Sequence, residues 1–132
     1  MSIDRLSNMV SSIKNGAMAK KDFIEVPYSI ECEGIAKVLE QKGFLEGVKV
    51  FKKEKSYLKL IHLGFVKDGE DIKISEAKRV SKPGRRIYKG AKEFRPVLQG
   101  LGVLVVSTSR GIMAGEEARK KKLGGEVLCE VY

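Results

Sequence analysis

The chain has 132 residues, of which 42% are hydrophobic and 33% charged, with 26 basic against 17 acidic side chains for a formal net charge of +9. This is room for one ordinary domain or two small ones sharing a core, and no apolar run approaches the roughly 18 residues of a membrane-spanning helix. One histidine and two distant cysteines, Cys32 and Cys129, exclude the usual zinc spacings, so both cysteines are read as small buried apolar residues. Met1-Ser2-Ile3-Asp4-Arg5 lacks the layout of a signal peptide. The expectation is a soluble cytoplasmic protein with no membrane partner and no cofactor.

Asp4 is placed to cap a first helix, along which Ile3, Leu6, Met9, Val10 and Ile13 recur at helical spacing. Asn15-Gly16 reads as its stop. Ser12, Lys14 and Asn15, near that end, could touch a nucleic-acid backbone or simply form a solvated face. Phe23 to Pro27 reads as a short strand ended by proline. Ser29 caps a second helix with Ile30, Ala36, Val38 and Leu39 for the core, closed by Gly43. Strands Phe44 to Phe51 and Tyr57 to Leu63 follow, joined by the polar turn Lys52 to Ser56. The order over about 65 residues is α-β-α-β-β. His62 stands between Ile61 and Leu63 and reads as a strand residue.

Asp68-Gly69-Glu70-Asp71 is a turn and the expected seam between two small domains, residues 1–66 (α/β) and 67–132 (mostly β with one short helix, and RNA-binding). The fold class is α+β. Ile72-Lys73-Ile74 alternates like a strand that Ala77 extends. The charge excess then becomes local. Residues 78–95 hold 8 basic and 1 acidic side chain, and residues 110–122 hold 5 and 2, while the remainder of the chain is close to neutral. Such concentration points to a polyanion, because neutralising phosphates releases counterions. Pro83-Gly84 suits a type II turn that would present Lys82, Arg85 and Arg86 at a hairpin tip, with Lys89 on the returning strand. Tyr88, also on that strand, could stack on a sugar or an unpaired base, or be a half-buried strand aromatic. Ala91 to Leu98 is a helical turn or irregular connector with Phe94 and Leu98 facing inward.

The chain is organised around Gly102 to Gly111. An apolar β-branched run, Val103 to Val106, ends in Ser107, Thr108, Ser109, Arg110 and Gly111. Short hydroxyl side chains touch a partner only if the backbone comes close, and Gly111 permits that approach. Arg110 adds a charged fork suited to phosphate. Ala114 to Lys122 reads as a short helix whose charges match its dipole, ended by Gly124-Gly125. The last strand, Glu126 to Tyr132, alternates with Val127, Cys129 and Val131 on one face. A serine hydrolase is excluded: no Gly-x-Ser-x-Gly elbow surrounds Ser107 or Ser109, and His62 is the only histidine. No phosphate-cradling Gly-rich loop precedes a Lys-Ser/Thr pair.

These residues resemble the bacterial-type small-subunit ribosomal protein eight family. The resemblance rests on Gly102, Val105-Val106, Ser107-Thr108, Gly111, Ile112-Met113 and Ala118-Arg119. It is reinforced by the basic hairpin Arg79 to Lys89, the ending Leu123 to Cys129 and the start Asp4 to Gly16. The pattern departs from the family at Arg5, at Glu130 and over Lys52 to Glu76. The resemblance implies a two-domain α/β protein that binds the central domain of small-subunit ribosomal RNA directly and helps assemble the subunit. It implies contacts from Ser107, Thr108, Ser109, Arg110 and Gly111, from Tyr88 and from Glu126, with less sharply marked ones near Lys14 and Asn15. It further implies neighbouring small-subunit proteins as partners and, in some bacteria, the protein's own messenger RNA. Lys82, Arg85, Arg86, Lys89 and Arg110 are expected to attract phosphate with little specificity. Glu126 would accept a base or sugar hydrogen bond, orient a basic side chain, or be a plain surface charge. The alternative is a non-ribosomal RNA-binding or RNA-chaperone module without sequence specificity.

Overall fold

The computed structural model describes residues 5–55 and 57–132. The expected Asp4 cap, Ile3 in the apolar stripe and Ser56 in the polar turn lie outside the described residues. Helix α1 (Arg5–Met18) buries Met9, Val10, Ile13, Gly16 and Ala17. It does not stop at Asn15-Gly16. A Cβ on Gly16 would lie 2.9 Å from both Ile24 and the Phe65 ring, so this glycine lets the helix pack closely on the sheet instead of ending it.

Strand β1 (Phe23–Pro27) leads to helix α2 (Ile30–Gln41), where the Ser29 hydroxyl accepts a hydrogen bond from the Cys32 amide at 3.1 Å. Ile30 is 77% exposed and leaves the core to Cys32, Ile35, Ala36, Val38 and Leu39. It sits at the first position of the helix, before the buried stripe begins. Strands β2 (Leu45–Lys52) and β3 (Lys59–Phe65) complete an antiparallel sheet in the order β1-β3-β2. His62 lies mid-strand, stacked on Phe23 with ring centroids 4.9 Å apart, its Nδ1 3.1 Å from the Gly47 carbonyl oxygen.

Strands β4 (Lys67–Asp68) and β5 (Asp71–Ile72) form a minimal hairpin. The strand expected from Ile72 through Ala77 is therefore broken. Ile72 belongs to β5, whereas Ala77 opens β6 (Ala77–Arg79) in another sheet. Between them Ser75 and Glu76 both donate their amides to the Tyr132 carbonyl.

The second sheet is built on β10 (Gly125–Val131). Strands β6 and β7 (Tyr88–Lys89) pair with one edge of β10, β8 (Val103–Thr108) with the other, and β9 (Gly111–Ala114) with β8, all antiparallel. The expected single face for Val127, Cys129 and Val131 is interrupted. Val127 opposes Val106 and Cys129 opposes Val105, leaving Leu128 as an extra residue in a β-bulge. Val127 then packs with Phe94, Val106, Met113 and Ala118. Leu128, Cys129 and Val131 join the larger cluster, which holds Met9, Ile13, Leu39 and Phe65 of the first half together with Val103 and Val105 of the second. Both cysteines are buried and outside any disulfide, and burial pushes the Cys129 thiol up to about 12.

Two further expectations fail at loops. Phe94 faces inward, 2% exposed, but Leu98 is 56% exposed because Leu98 and Gln99 take left-handed backbone, with φ of 45° and 57°. Helix α3 (Gly115–Lys120) is not ended by Gly124-Gly125. Its C-cap is Lys121 and the chain reverses through Lys122, which has φ 58°. The two glycines instead allow contact: a Cβ on Gly125 would sit 2.1 Å from the Ser107 carbonyl oxygen.

Candidate nucleic-acid interface

Strands β7, β10, β8 and β9 bring residues from four stretches of sequence into one transverse row. Tyr88 opposes Glu126, Glu126 opposes Ser107, and Ser107 opposes Ile112. Directly opposed residues of antiparallel strands share a face, so Tyr88, Glu126, Ser107 and Ile112 form one band. A second row, Lys89, Gly125, Thr108 and Gly111, lies one step along on the opposite face. Helix α2 covers the Ile112 end of the first row, where a Cβ on Gly34 would stand 2.9 Å from the Ile112 side chain. The other end is open: Tyr88 is 69% exposed. This excludes the half-buried reading of that tyrosine.

Ser107 and Thr108 are half-buried, while Ser109, Arg110 and Gly111 are exposed. The tip is internally braced. The Thr108 hydroxyl donates to the Gly111 carbonyl at 2.8 Å and accepts from the Arg110 amide at 3.1 Å. Its donor is spent, so Thr108 shapes the turn more than it reads a partner. Among the described residues, no hydrogen bond occupies the hydroxyls of Ser107 or Ser109. Gly111 has φ 110°, a left-handed-side conformation that glycine adopts without strain, and nothing lies within 4 Å of where its Cβ would be. A ligand backbone could therefore come against it.

Glu126 is not a plain surface charge. Its side chain is only 13% exposed and its Oε2 lies 3.2 Å from Arg86 Nη1. It orients a basic side chain, and Arg86 is correspondingly not a free cation. Lys82, Arg85, Lys89 and Arg110 are exposed, and among the described residues no carboxylate lies within salt-bridge distance of any of them. Lys82 and Arg85 exchange both backbone hydrogen bonds, at 3.0 and 2.9 Å, around Pro83-Gly84 with Gly84 at φ 81°, as the expected turn requires.

Ser81 was given no role by its sequence neighbourhood, yet it holds the hairpin shut. It is fully buried, and its hydroxyl accepts from the Ile87 amide at 2.9 Å and donates to the Ile87 carbonyl at 3.4 Å. The available signal was a lone small hydroxyl inside a basic run, between Val80 and Lys82.

Lys14 and Asn15 are not brought to this surface. Lys14 Nζ lies 3.3 Å from Glu76 Oε1, beside Ala77, which pairs with Val131. That is four ladder steps along the sheet from Glu126, since Val131 opposes Val103 and Glu126 opposes Ser107, about 13 Å at strand rise. Partial removal from water opposes ionisation of Glu76. Hydrogen bonds from Lys14 and the Ala77 amide, with the nearby Lys14 and Lys78 charges, outweigh this and hold its carboxyl below the usual range. Asn15 is exposed on the same turn of α1.

Fold and charge together define a small basic α+β protein, with Lys82, Arg85, Lys89 and Arg110 uncompensated among the described residues on the tip strands and the hairpin beside them. The chain belongs to the family described as "Ribosomal protein S8", which it matches over residues 4–132. It is 42% identical over 134 residues to small ribosomal subunit protein uS8 of Rhodopirellula baltica, covering 99% of each chain. It is 44% identical over 132 residues to uS8 of Methylacidiphilum infernorum, and 39% over 132 residues to protein uS8c of the moss Physcomitrium patens, covering the whole of each chain in both cases. The family is one of ribosomal proteins and not of enzymes. No helix among the described residues is long and apolar enough to cross a membrane, and no cluster of metal-ligating side chains occurs among them.

Proposed function

We propose that the chain is a structural component of the small ribosomal subunit, in the cytoplasm, and that the end of the second sheet grips the central domain of the small-subunit ribosomal RNA. The observation that carries this is the pairing of two hydroxyls without a hydrogen bond among the described residues, Ser107 and Ser109, with an exposed Tyr88 and four uncompensated cations on β7 and on the turns that join β6 to β7 and β8 to β9. A-form RNA hides its deep major groove and offers a shallow minor groove lined with 2′-hydroxyls. Short hydroxyls on a rigid strand end suit that surface. Tyr88 offers a face for an unpaired base. Lys82, Arg85, Lys89 and Arg110 supply attraction to phosphate, with Arg86 held by Glu126 as a positioned fork. Lys14 and Asn15 belong to another surface and would contact a different part of the assembly. No feature of the chain favours its own messenger RNA as a ligand.

The test is footprinting of small-subunit ribosomal RNA by the purified protein. One protected internal-loop helix in the central domain is the expected result. Uniform protection of unrelated duplexes would select the non-specific RNA-chaperone reading instead.

A further inference from the structure

Strands β6 and β7 pair with the same edge of β10, one after the other, and residues 80–87 leave that edge between them and return to it. The excursion is a finger. Its outer part carries Lys82, Arg85 and Arg86 around Pro83-Gly84, and Tyr88 follows where the chain rejoins the sheet. The paired backbone bonds between Lys82 and Arg85 hold only the turn at its end. Such a finger keeps one direction relative to the sheet only if its root is closed.

The root is closed by a ring of three hydrogen bonds. The Val127 carbonyl accepts from the Ser81 amide at 3.1 Å, the Ser81 hydroxyl accepts from the Ile87 amide at 2.9 Å, and the Ile87 carbonyl accepts from the Val127 amide at 2.9 Å. Two of these links are backbone to backbone; the third depends on one side-chain oxygen. Val80 adds a bond from its amide to the Leu128 carbonyl at 3.0 Å, so the finger springs from the bulge in β10. The other polar groups of Ser81 are also committed. Its carbonyl accepts from Arg79 Nε, and its hydroxyl donates to the Ile87 carbonyl at 3.4 Å. Ser81 is fully buried, so water does not compete for that hydroxyl.

We infer that Ser81 is a positioning residue for RNA recognition, a step that rests on the RNA reading of the sheet end: its hydroxyl fixes the finger to β10, so that the cations of the finger stand at a set angle to Tyr88, Glu126 and Ser107. Attraction to phosphate does not need a fixed finger, because a loose basic arm binds any duplex. Discrimination does need one. Lys82 and Arg85 must meet phosphates while Ser107 meets a base edge or a sugar, and ordering the finger during binding would subtract from affinity. Closing the root beforehand removes that cost. Ser81 touches no RNA itself, being buried, and it carries no charge. Its influence therefore falls on the preference between RNAs and not on the electrostatic attraction. Alanine fills nearly the same space and lacks only the oxygen.

The test has two arms. In the unaltered chain, free of RNA, amide hydrogen exchange at Ile87 should be at least about tenfold slower than at the exposed Arg86 beside it. Equal rates would mean an open root and would overturn the proposal without any substitution. In Ser81→Ala, the Ile87 amide should exchange about as fast as Arg86, while the Val106 and Met113 amides of β8 and β9 keep their protection and report an intact sheet. Affinity for small-subunit ribosomal RNA should then fall about tenfold. Affinity for a random-sequence RNA duplex, and the slope of log affinity against log salt, should not move, because no cation is lost. A serine that serves stability alone would leave the preference between the two RNAs untouched, and that result overturns the proposal. So does an equal loss on both RNAs. If the unaltered chain does not prefer small-subunit RNA, the RNA reading falls and takes this inference with it; a preference that survives in Ser81→Ala removes the inference alone.

Discussion

The two ends of the second sheet are both ringed with cations, yet they differ in what the cations surround. At the Ser107–Gly111 end the centre is polar: half-buried and exposed hydroxyls, a glycine with open space before it, and one carboxylate committed to Arg86. At the Val103 end the centre is apolar: a cavity wall of leucine, valine and phenylalanine beneath a loop that exposes Leu98 and Leu101. Positive charge alone therefore says little about the partner. What the charge encloses says more, because hydroxyls reward a hydrated, hydrogen-bonding surface and leucines reward one that sheds water.

The largest effect expected from an attack on the first end comes from Gly125→Val. A side chain there meets the Ser107 carbonyl oxygen, so the β8–β10 pairing must open. Urea unfolding should show a loss of roughly 2–4 kcal/mol, together with loss of ribosomal RNA binding. Retention of both would mean the strands tolerate separation at the tip. Next, Ser107→Ala with Ser109→Ala should cost about 1–3 kcal/mol against the cognate RNA, in the range of hydrogen-bonded base contacts, and almost nothing against random RNA. Equal losses on cognate and random RNA would leave the hydroxyls no part in discrimination.

A smaller effect separates two neighbouring arginines. Arg85→Ala should reduce the slope of log affinity against log salt by about one unit, as for one phosphate contact. Arg86→Ala should change the slope less, because Arg86 is already partnered, and should instead weaken cognate binding by freeing Glu126. Identical slopes for the two variants would contradict the role of the 3.2 Å pair.

The expectation that is smallest at neutral pH comes from titration. The Cys129 thiol is pushed up to about 12 in the folded chain, against a value near 8.5 for an unfolded thiol. The unfolded state thus loses its proton first as pH rises. Cys129 contributes no pH dependence below about 8, and stability should fall as pH passes through the 9 to 12 range, by up to about 1.4 kcal/mol per unit. Cys129→Ser tests this by its unfolding curves: the alkaline decline should become shallower. On the acid side, Glu76 is held below its ordinary range in the fold. The stability from its tie to Lys14 is present above the ordinary carboxylate range and is lost as pH falls through the lowered value. Glu76→Gln should flatten that part of the curve.

Much of the first half was legible because its elements follow local rules. Ser29 caps α2, a polar turn separates β2 from β3, and the order α-β-α-β-β is as expected. The errors arose where tertiary packing overrides a local signal. Asn15-Gly16 has the chemistry of a helix stop, but Gly16 is needed small against Ile24 and Phe65, so α1 continues. Leu98 has the chemistry of a core residue, but its left-handed backbone turns it out. At the tip the residue types could be read directly, whereas the row Tyr88–Glu126–Ser107 could not. It exists only through the register of three strands drawn from positions almost 40 residues apart. The contacts expected near Lys14 and Asn15 are separate from the tip, and Lys14 lies toward the other end of β10, paired with Glu76.

The surplus Leu128 in β10 has a geometric consequence. Val127 and Cys129 already oppose the adjacent residues Val106 and Val105, so excising Leu128 would preserve the parity of every other side chain on the strand. It would straighten the backbone, because a bulge adds local bend and twist. The direction in which the tip points relative to the Val103 end is thus written as a single inserted peptide unit, a fixed protractor inside one strand.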